Sequence, residues 1–188
     1  RTKAEEISEA VNHSFYNPDN NTYIDSKQTH LVLPLIAGMV PKNDISKVES
    51  KLKEEILVSQ NGHFDTGIHG TYFLVKYLTE NYHHDLLYTL TSQTTYPSYG
   101  EIIKRGEITW PEYWSECNSR VHGCLNGIGG WFQRGVLGIQ LDPKKVGYKE
   151  FIVKPAFHDS LQWAKGHHVS SFGKINVSWE KTDENYLL

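Results

Sequence analysis

The chain has 188 residues and a formal net charge of −3, with no strongly basic or acidic block. This length suffices for one sizeable domain or two small ones. The balanced charge argues against nucleic acid and against an anionic membrane surface as the main partner. No apolar run approaches the length of a membrane span. The 5 Trp and 11 Tyr residues are compatible with carbohydrate binding and equally with an ordinary core.

Most of the chain predicts helices joined by short loops. Apolar residues recur at helical spacing, Gly, Asn and Pro interrupt the pattern, and Asp44 is placed to cap the third helix. Paired helices with short loops are typical of an α/α hairpin array. About three pairs, half of a six-pair α/α toroid, are expected here. We predict helices over residues 4–15, 28–39, 45–57, 70–81, 84–92 and 125–137.

The pattern changes after Pro143 to one typical of strands. Residues 148–154 are rich in β-branched and aromatic side chains. Residues 174–180 then alternate apolar and polar side chains, as expected for a half-buried antiparallel sheet. We therefore predict an incomplete α/α toroid in residues 1–143, followed by a small antiparallel β-sandwich portion in residues 144–188.

Residues 109–131 hold the densest group of side chains suited to chemistry. The segment contains three of the five tryptophans, and Glu112 lies between Trp110 and Trp114, with His122 and several glycines following. Sugar rings have apolar faces and polar edges, so their sites combine aromatic walls with a few placed acids, imidazoles and amides. An apolar surround also controls the pKa of a carboxyl group, as glycosidases require. Glu112 is therefore a candidate catalytic carboxylate.

The same residues have a structural interpretation. Thr109 and Glu112 have the spacing of a capping box, in which each side chain bonds a backbone donor of the other at a helix start. Pro111 would lie comfortably in the first helical turn. On the residues alone, the helix cap is the commoner arrangement.

Several short motifs follow one another along the chain, most of them outside residues 109–131. They are Gly-Met-Val-Pro at 38–41, Asp-Thr-Gly-x-x-Gly-Thr at 65–71, Tyr-Pro-Ser-Tyr at 96–99, Thr-x-x-Glu-x-Trp at 109–114, Ser-x-x-His at 119–122 and Gly-Lys-Ile at 173–175. Together they resemble the bacterial α-L-rhamnosidases, the inverting glycoside hydrolases of family 78. The resemblance implies the C-terminal part of a toroidal catalytic domain and the start of a following β-domain.

The resemblance also implies roles for individual side chains. Glu112 matches the general base, which activates the attacking water in an inverting glycosidase. His122 matches a histidine that contacts the hydroxyls of the sugar. Trp110 and Trp114 are then candidate platforms for the sugar, and His69 is a candidate substrate contact.

Structural alternatives exist for these residues as well. The two tryptophans that flank Glu112 could be core residues, and Trp131 is expected to be one. A single histidine beside glycines is commonly a hydrogen-bonded loop residue. Asp65 is expected to be a helix N-cap.

The family's general acid lies in an Asp-x-x-x-Arg-x-Glu motif, which this sequence does not contain. We therefore expect the chain to hold one half of the catalytic machinery and to be inactive alone. Glu107 is the local candidate for a second carboxylate.

The partner implied by the resemblance is a rhamnose-containing oligosaccharide or glycoside. Cys117 and Cys124 lack the spacing of a metal site, so we interpret them as small buried thiols and expect no metal or cofactor. Two alternatives remain, since fold does not fix function. One is another toroid glycosidase, of glucoamylase or trehalase type, and the other is a non-catalytic carbohydrate-binding module.

Overall fold

The computed structural model describes residues 2–115, 119–120 and 122–188. Helices fill the first part of the described chain, and the longer strands follow. The helices are α1 (Lys3–Phe15), α2 (Gln28–Ile36), α3 (Ile45–Glu54), α4 (Ile68–Glu80), α5 (His84–Thr91), α6 (Tyr99–Lys104) and α7 (Gly127–Trp131). The strands are β1 (Tyr16–Asn17), β2 (Thr22–Tyr23), β3 (Ile139–Leu141), β4 (Phe151–Val153), β5 (Trp163–Ser170), β6 (Gly173–Lys181) and β7 (Tyr186–Leu187).

The helical core forms where α2 packs against α3 and α4. The residues of α2 are apolar at successive positions, and Leu31 and Val32 are fully buried together with Leu74 of α4. A side chain at Gly70 would collide with Thr29. The glycine therefore lets the two helices approach closely, and tight packing of this kind stabilises the array.

The start of α2 is held by a residue from far along the chain. The backbone N–H of Gln28 donates to both carboxylate oxygens of Asp65, at 3.2 and 3.3 Å. The buried side chain of Gln28 donates in turn to the carbonyl of His63, at 2.8 Å. The prediction that Asp65 is a helix N-cap is wrong, because Gly67 takes that position in α4 and the Asp65 carboxylate instead accepts from the first N–H of α2.

The observed helices follow the predictions, with several differences. The α-helical parts of the predicted helices 45–57 and 125–137 are shorter, because the chain continues as a π-helix over Glu55–Ser59 after α3 and over Phe132–Val136 after α7. α2 ends at Ile36 rather than at residue 39, since the chain turns at Gly38, whose φ is +66°. α6 was not predicted from the sequence, because its six residues are too few to show helical periodicity. Its start is fixed by Ser98, whose hydroxyl accepts a hydrogen bond from the N–H of Glu101 at 3.0 Å.

Strands also occur before the predicted change at Pro143. β1 and β2, of two residues each, pair as an antiparallel hairpin near the start of the chain. β3 begins at Ile139 and pairs with β4. Gly138 precedes this pair with a φ of +75°, and a side chain there would collide with the backbone at Lys154 and Pro155. Only glycine therefore permits the crossing that joins the strands.

The three-stranded antiparallel sheet has the order β5-β6-β7 and alternates as predicted. Its inner face packs on the end of the helical part. The indole of Trp179 donates to the carbonyl of Val136 at 2.8 Å, and Gln133 bonds the ring of His168 at 2.7 Å. In the described part of the chain, no helix is long and apolar enough to cross a membrane.

Candidate active site

Backbone pairing within the loop after α6 brings Glu112 and His122 together. The N–H of Glu112 donates to the carbonyl of Ser119 at 3.1 Å, and the N–H of His122 donates to the carbonyl of Trp110 at 3.2 Å. His122 Nε2 then lies 3.7 Å from Glu112 Oε2. The two residues that the sequence marks for base and sugar binding are therefore neighbours.

This pairing replaces the predicted helix cap. No helix starts at Thr109 among the described residues, and the hydroxyl of Thr109 donates to the carbonyl of Arg120 instead. Glu112 uses its N–H in the pairing with Ser119. The capping-box interpretation is wrong because residues 109–112 form hydrogen bonds with Ser119, Arg120 and His122 instead. This hairpin-like pairing of the described residues is called the Glu112 hairpin below.

The Glu112 side chain is 27% exposed and that of His122 is 30% exposed. Both groups can therefore be reached by a ligand while being partly screened from bulk water. A carboxylate accepts protons and hydrogen bonds, and a neutral imidazole offers one donor and one acceptor. The pair can take a proton from water and bind a hydroxyl at the same place.

Trp114 anchors the loop from inside the core. It is 7% exposed, and its ring stacks on Phe64 at a centroid distance of 4.9 Å and makes a T-shaped contact with Tyr99 at 5.1 Å. Its indole N–H donates to the carbonyl of Thr66 at 2.7 Å. The prediction of a sugar platform does not fit this position, because neighbouring side chains cover the ring faces that a sugar would need.

The side chain of Arg105 binds the backbone of the loop at Trp114. Both terminal nitrogens of the guanidinium donate to the carbonyl of Trp114 at 3.1 Å, and the group also pairs with Glu101. Sequence reasoning did not select Arg105, because no motif contains it. Its i, i+4 spacing from Glu101 is the only sequence signal that it offers.

Trp110 borders a cleft next to the hairpin. Its ring makes a T-shaped contact with Tyr99 at a centroid distance of 5.0 Å, and the residue is half-buried. The cleft has a volume of about 480 Å³, within the range usual for small-ligand sites. It is lined by Ile103, Glu107, Ile108, Thr109, Trp110 and Asn126. Trp110 is therefore open to a ligand on one side, in contrast to Trp114.

Glu107 also faces this cleft, but its carboxylate pairs with the guanidinium of Arg120. The candidate second carboxylate is therefore engaged in an ion pair. Cys124 is a half-buried free thiol, whereas Cys117 lies outside the described residues. The interpretation as small buried thiols can therefore be compared with the structure only for Cys124, which is half-buried.

His69 lies in the first turn of α4 and is exposed. α4 starts just after Thr66, whose carbonyl accepts the indole N–H of Trp114. The start of α4 and the Glu112 hairpin therefore belong to the same end of the helical array. Among the described residues, no hydrogen bond or ion pair joins His69 to Glu112 or His122.

The paired helices and the partly exposed Glu112 on a connecting loop fit the class of helical-hairpin glycosidase domains. The family model described as the bacterial alpha-L-rhamnosidase 6 hairpin glycosidase domain matches residues 1–136. The model of the bacterial alpha-L-rhamnosidase C-terminal domain matches residues 138–188. The chain belongs to the bacterial α-L-rhamnosidase family.

Similar proteins agree with this assignment. An alpha-L-rhamnosidase of Formosa agariphila is 31% identical over 95% of this chain, which corresponds to 20% of that relative. One from Alteromonas sp. is 30% identical over 98% of this chain and 21% of its own length. The chain thus spans about a fifth of the curated relatives that it matches.

Solved structures show the same fold. The alpha-L-rhamnosidase from Dictyoglumus thermophilum is 28% identical, with a TM-score of 0.81 over 95% of this chain and 21% of that one. The Streptomyces avermitilis alpha-L-rhamnosidase complexed with L-rhamnose is 23% identical, with a TM-score of 0.83 over 96% of this chain and 18% of that one. At 23% identity, the second match supports a shared fold only.

Proposed function

We propose that this chain supplies the general base of an inverting α-L-rhamnosidase and that Glu112 is this base. The observation that carries the proposal is the position of Glu112. Its backbone is fixed by the hairpin and by the buried Trp114, while its carboxylate stays reachable beside His122. The complete activity belongs to a longer protein, since the chain spans about a fifth of its relatives.

In an inverting glycosidase the base takes a proton from water as the water attacks the anomeric carbon. An acid on the other side of the sugar protonates the leaving oxygen, with the two carboxyl groups about 6.5–9.5 Å apart. Glu112 has the ionisable oxygen for the first step. The acid is supplied by residues outside this chain, so the isolated chain is expected to lack activity.

The neighbouring side chains divide the work of binding. The imidazole of His122 would bond a sugar hydroxyl while the carboxylate of Glu112 holds the water. Trp110 would offer an apolar wall to the sugar from the edge of the cleft, and Trp114 would keep the loop in place from the core. His69 would contact the substrate from the start of α4. The substrate class is a glycoside or oligosaccharide with terminal rhamnose.

The chain contains a matched control for Glu112. Glu49 also has a side chain that is 27% exposed, and His83 Nε2 lies 3.5 Å from its carboxylate. Glu112→Gln and Glu49→Gln should therefore be compared in the full-length protein that contains this chain. The measurements are release of nitrophenol from a 4-nitrophenyl α-L-rhamnoside and thermal unfolding.

We expect Glu112→Gln to lower kcat by about 10²–10⁴-fold, the usual loss when a general base is removed. Its melting temperature should stay near that of the wild type, because Gln keeps the size of the side chain. Glu49→Gln should leave kcat unchanged. A Glu112→Gln enzyme with near-normal kcat would return Glu112 to a structural role.

A further inference from the structure

The side chain of Arg105 joins the two ends of the loop that carries Glu112. Arg105 is the C-terminal cap of α6, and Gly106 follows with a φ of +82°, which turns the chain away from the helix. The guanidinium meets the chain again nine positions later, where Nη1 and Nη2 both donate to the carbonyl of Trp114 at 3.1 Å. This contact closes a loop that has Glu112 near its end.

The helix that carries Arg105 is itself fixed in the core. Tyr99 and Ile102 of α6 are buried, and Glu101, one turn before Arg105, pairs with the guanidinium. The Arg105 side chain is only 19% exposed, so bulk water competes weakly for its bonds. A planar guanidinium that bonds through two nitrogens fixes the direction of its partner as well as the distance. The orientation of the Trp114 carbonyl is therefore set by α6.

Arg105 adds an orientation that the ring of Trp114 does not supply. The buried indole, bonded to Thr66, fixes where Trp114 lies. Each residue still has two soft backbone torsions, and the bonds from Arg105 restrict them at Trp114. Glu112 lies two residues earlier, and Tyr113 between them is more than half exposed. The direction of the Glu112 side chain therefore depends on how the backbone of Trp114 is oriented.

Stability alone does not account for an arginine at this position. In the described part of the chain, the Nε of Arg105 is buried and has no hydrogen-bond partner. A buried donor without a partner lowers the free energy of unfolding, and well-packed apolar side chains in place of a buried ion pair often leave stability unchanged or raise it. Local arrangements that cost stability are typical of functional sites. The arginine therefore suits a role in the reaction.

We propose that Arg105 is a positioning residue for the reaction. By fixing the carbonyl of Trp114, it holds the Glu112 carboxylate where that group can take a proton from the attacking water. Arg105 itself contacts neither the water nor the sugar. The inference rests on the proposed function, in which Glu112 is the general base. A displacement of about 1 Å at a catalytic group can lower a rate about 10²-fold, so the loss of Arg105 should appear in kcat.

The experiment is a double-mutant cycle in the full-length protein that contains this chain. Arg105→Ala, Glu112→Gln and the double variant are compared by kcat and KM for a 4-nitrophenyl α-L-rhamnoside and by melting temperature. Arg134→Ala is the control, since Arg134 also pairs with a glutamate, Glu80, at 3.7 Å. Arg105→Lys keeps a cation beside Glu101 but lacks the two-nitrogen fork. It carries the same cycle if Arg105→Ala does not fold.

We expect Arg105→Ala to lower kcat by about 10–100-fold, and Arg105→Lys to lower it less. KM should stay within about twofold of the wild type, because His122 and Trp110 remain joined by their own backbone hydrogen bond. In the Glu112→Gln background, removal of Arg105 should not lower kcat further, since no base is left to position. Arg134→Ala should have the kcat of the wild type.

Three results would overturn the inference, and they are distinguishable. An equal fall in kcat in both backgrounds would show that Arg105 supports the fold rather than the base. A normal kcat for Arg105→Ala beside a low kcat for Glu112→Gln would remove Arg105 from the reaction and leave the proposed function standing. A near-normal kcat for Glu112→Gln would overturn the proposed function and the role of Arg105 together.

Discussion

Two glutamate–histidine pairs in this molecule have similar geometry and different surroundings. Glu112 and His122 lie 3.7 Å apart in the loop after α6, and Glu49 and His83 lie 3.5 Å apart between α3 and the start of α5. Both glutamate side chains are 27% exposed. Distance and exposure therefore do not distinguish a candidate base from a structural pair.

The difference lies in what holds each carboxylate. The buried hydroxyl of Tyr77 donates to Glu49 at 2.6 Å. Burial, with the Glu49 carboxylate as a second cause, raises the pKa of Tyr77 above its usual range. In the described part of the chain, the Glu112 carboxylate faces His122, and no tyrosine hydroxyl donates to it. Glu112 is held through its backbone N–H, which donates to Ser119. A side chain held in this way keeps its oxygens available for chemistry.

The largest expected effect is on the free energy of unfolding and follows from removing Trp114, which anchors the Glu112 loop. Trp114→Ala in the isolated chain should lower the free energy of unfolding by about 3–5 kcal/mol, as is usual for a buried tryptophan. Trp114→Phe keeps a ring but loses the bond to Thr66 and should cost about 1–2 kcal/mol. Urea denaturation measures both. Trp163→Ala is the control, because Trp163 is 68% exposed, and equal losses at the two positions would show that Trp114 anchors nothing.

The two histidines should separate binding from stability. His122→Asn in the full-length protein should reduce kcat/KM by about 10–100-fold, the equivalent of one hydrogen bond to a substrate hydroxyl. Its melting temperature should change little. His83→Asn should leave kcat/KM unaltered. If both variants had the same kcat/KM as the wild type, His122 would not contact the sugar.

The smallest expected effect concerns a third histidine, His84, and the pH dependence of stability. The indole N–H of Trp131 donates to His84 Nδ1 at 3.2 Å, and burial lowers the pKa of His84. The folded state thus binds this proton less readily than the unfolded state. The stabilisation is present above the unfolded pKa of about 6.5 and is lost as the pH falls toward the folded pKa.

Thermal unfolding of the isolated chain between pH 7.5 and 5.5 measures this contribution. His84→Gln can still accept the bond from Trp131 and should show a shallower fall in melting temperature. Identical slopes for the variant and the wild type would remove His84 as a source of acid sensitivity.

Local sequence patterns predicted the helices well, because periodicity and breaking residues act over a few positions. α1, α4 and α5 differ from their predicted bounds by one or two residues. The sequence pattern also selected Glu112 and His122. The placement of Trp114 was not predictable, since a tryptophan near a carboxylate suits a sugar wall and a core equally well.

Contacts between distant residues account for what the sequence analysis missed. Asp65 bonds Gln28 across 37 positions, and Trp114 bonds Thr66 across 48. Arg105 holds the carbonyl of Trp114 without belonging to any motif. No local pattern encodes such pairs, because they exist only once the helices have packed. The contacts of Trp114 and Arg105 hold the loop that carries the candidate base.

The most direct test of the base assignment is the product formed by Glu112→Ala in the full-length protein with sodium azide. Azide is a small anion that can enter the vacated site and attack the anomeric carbon without giving up a proton. If Glu112 is the base, azide restores part of the lost turnover, and NMR shows a rhamnosyl azide of inverted anomeric configuration. Turnover that azide does not raise, or a product of retained configuration, would contradict the assignment of Glu112 as the base.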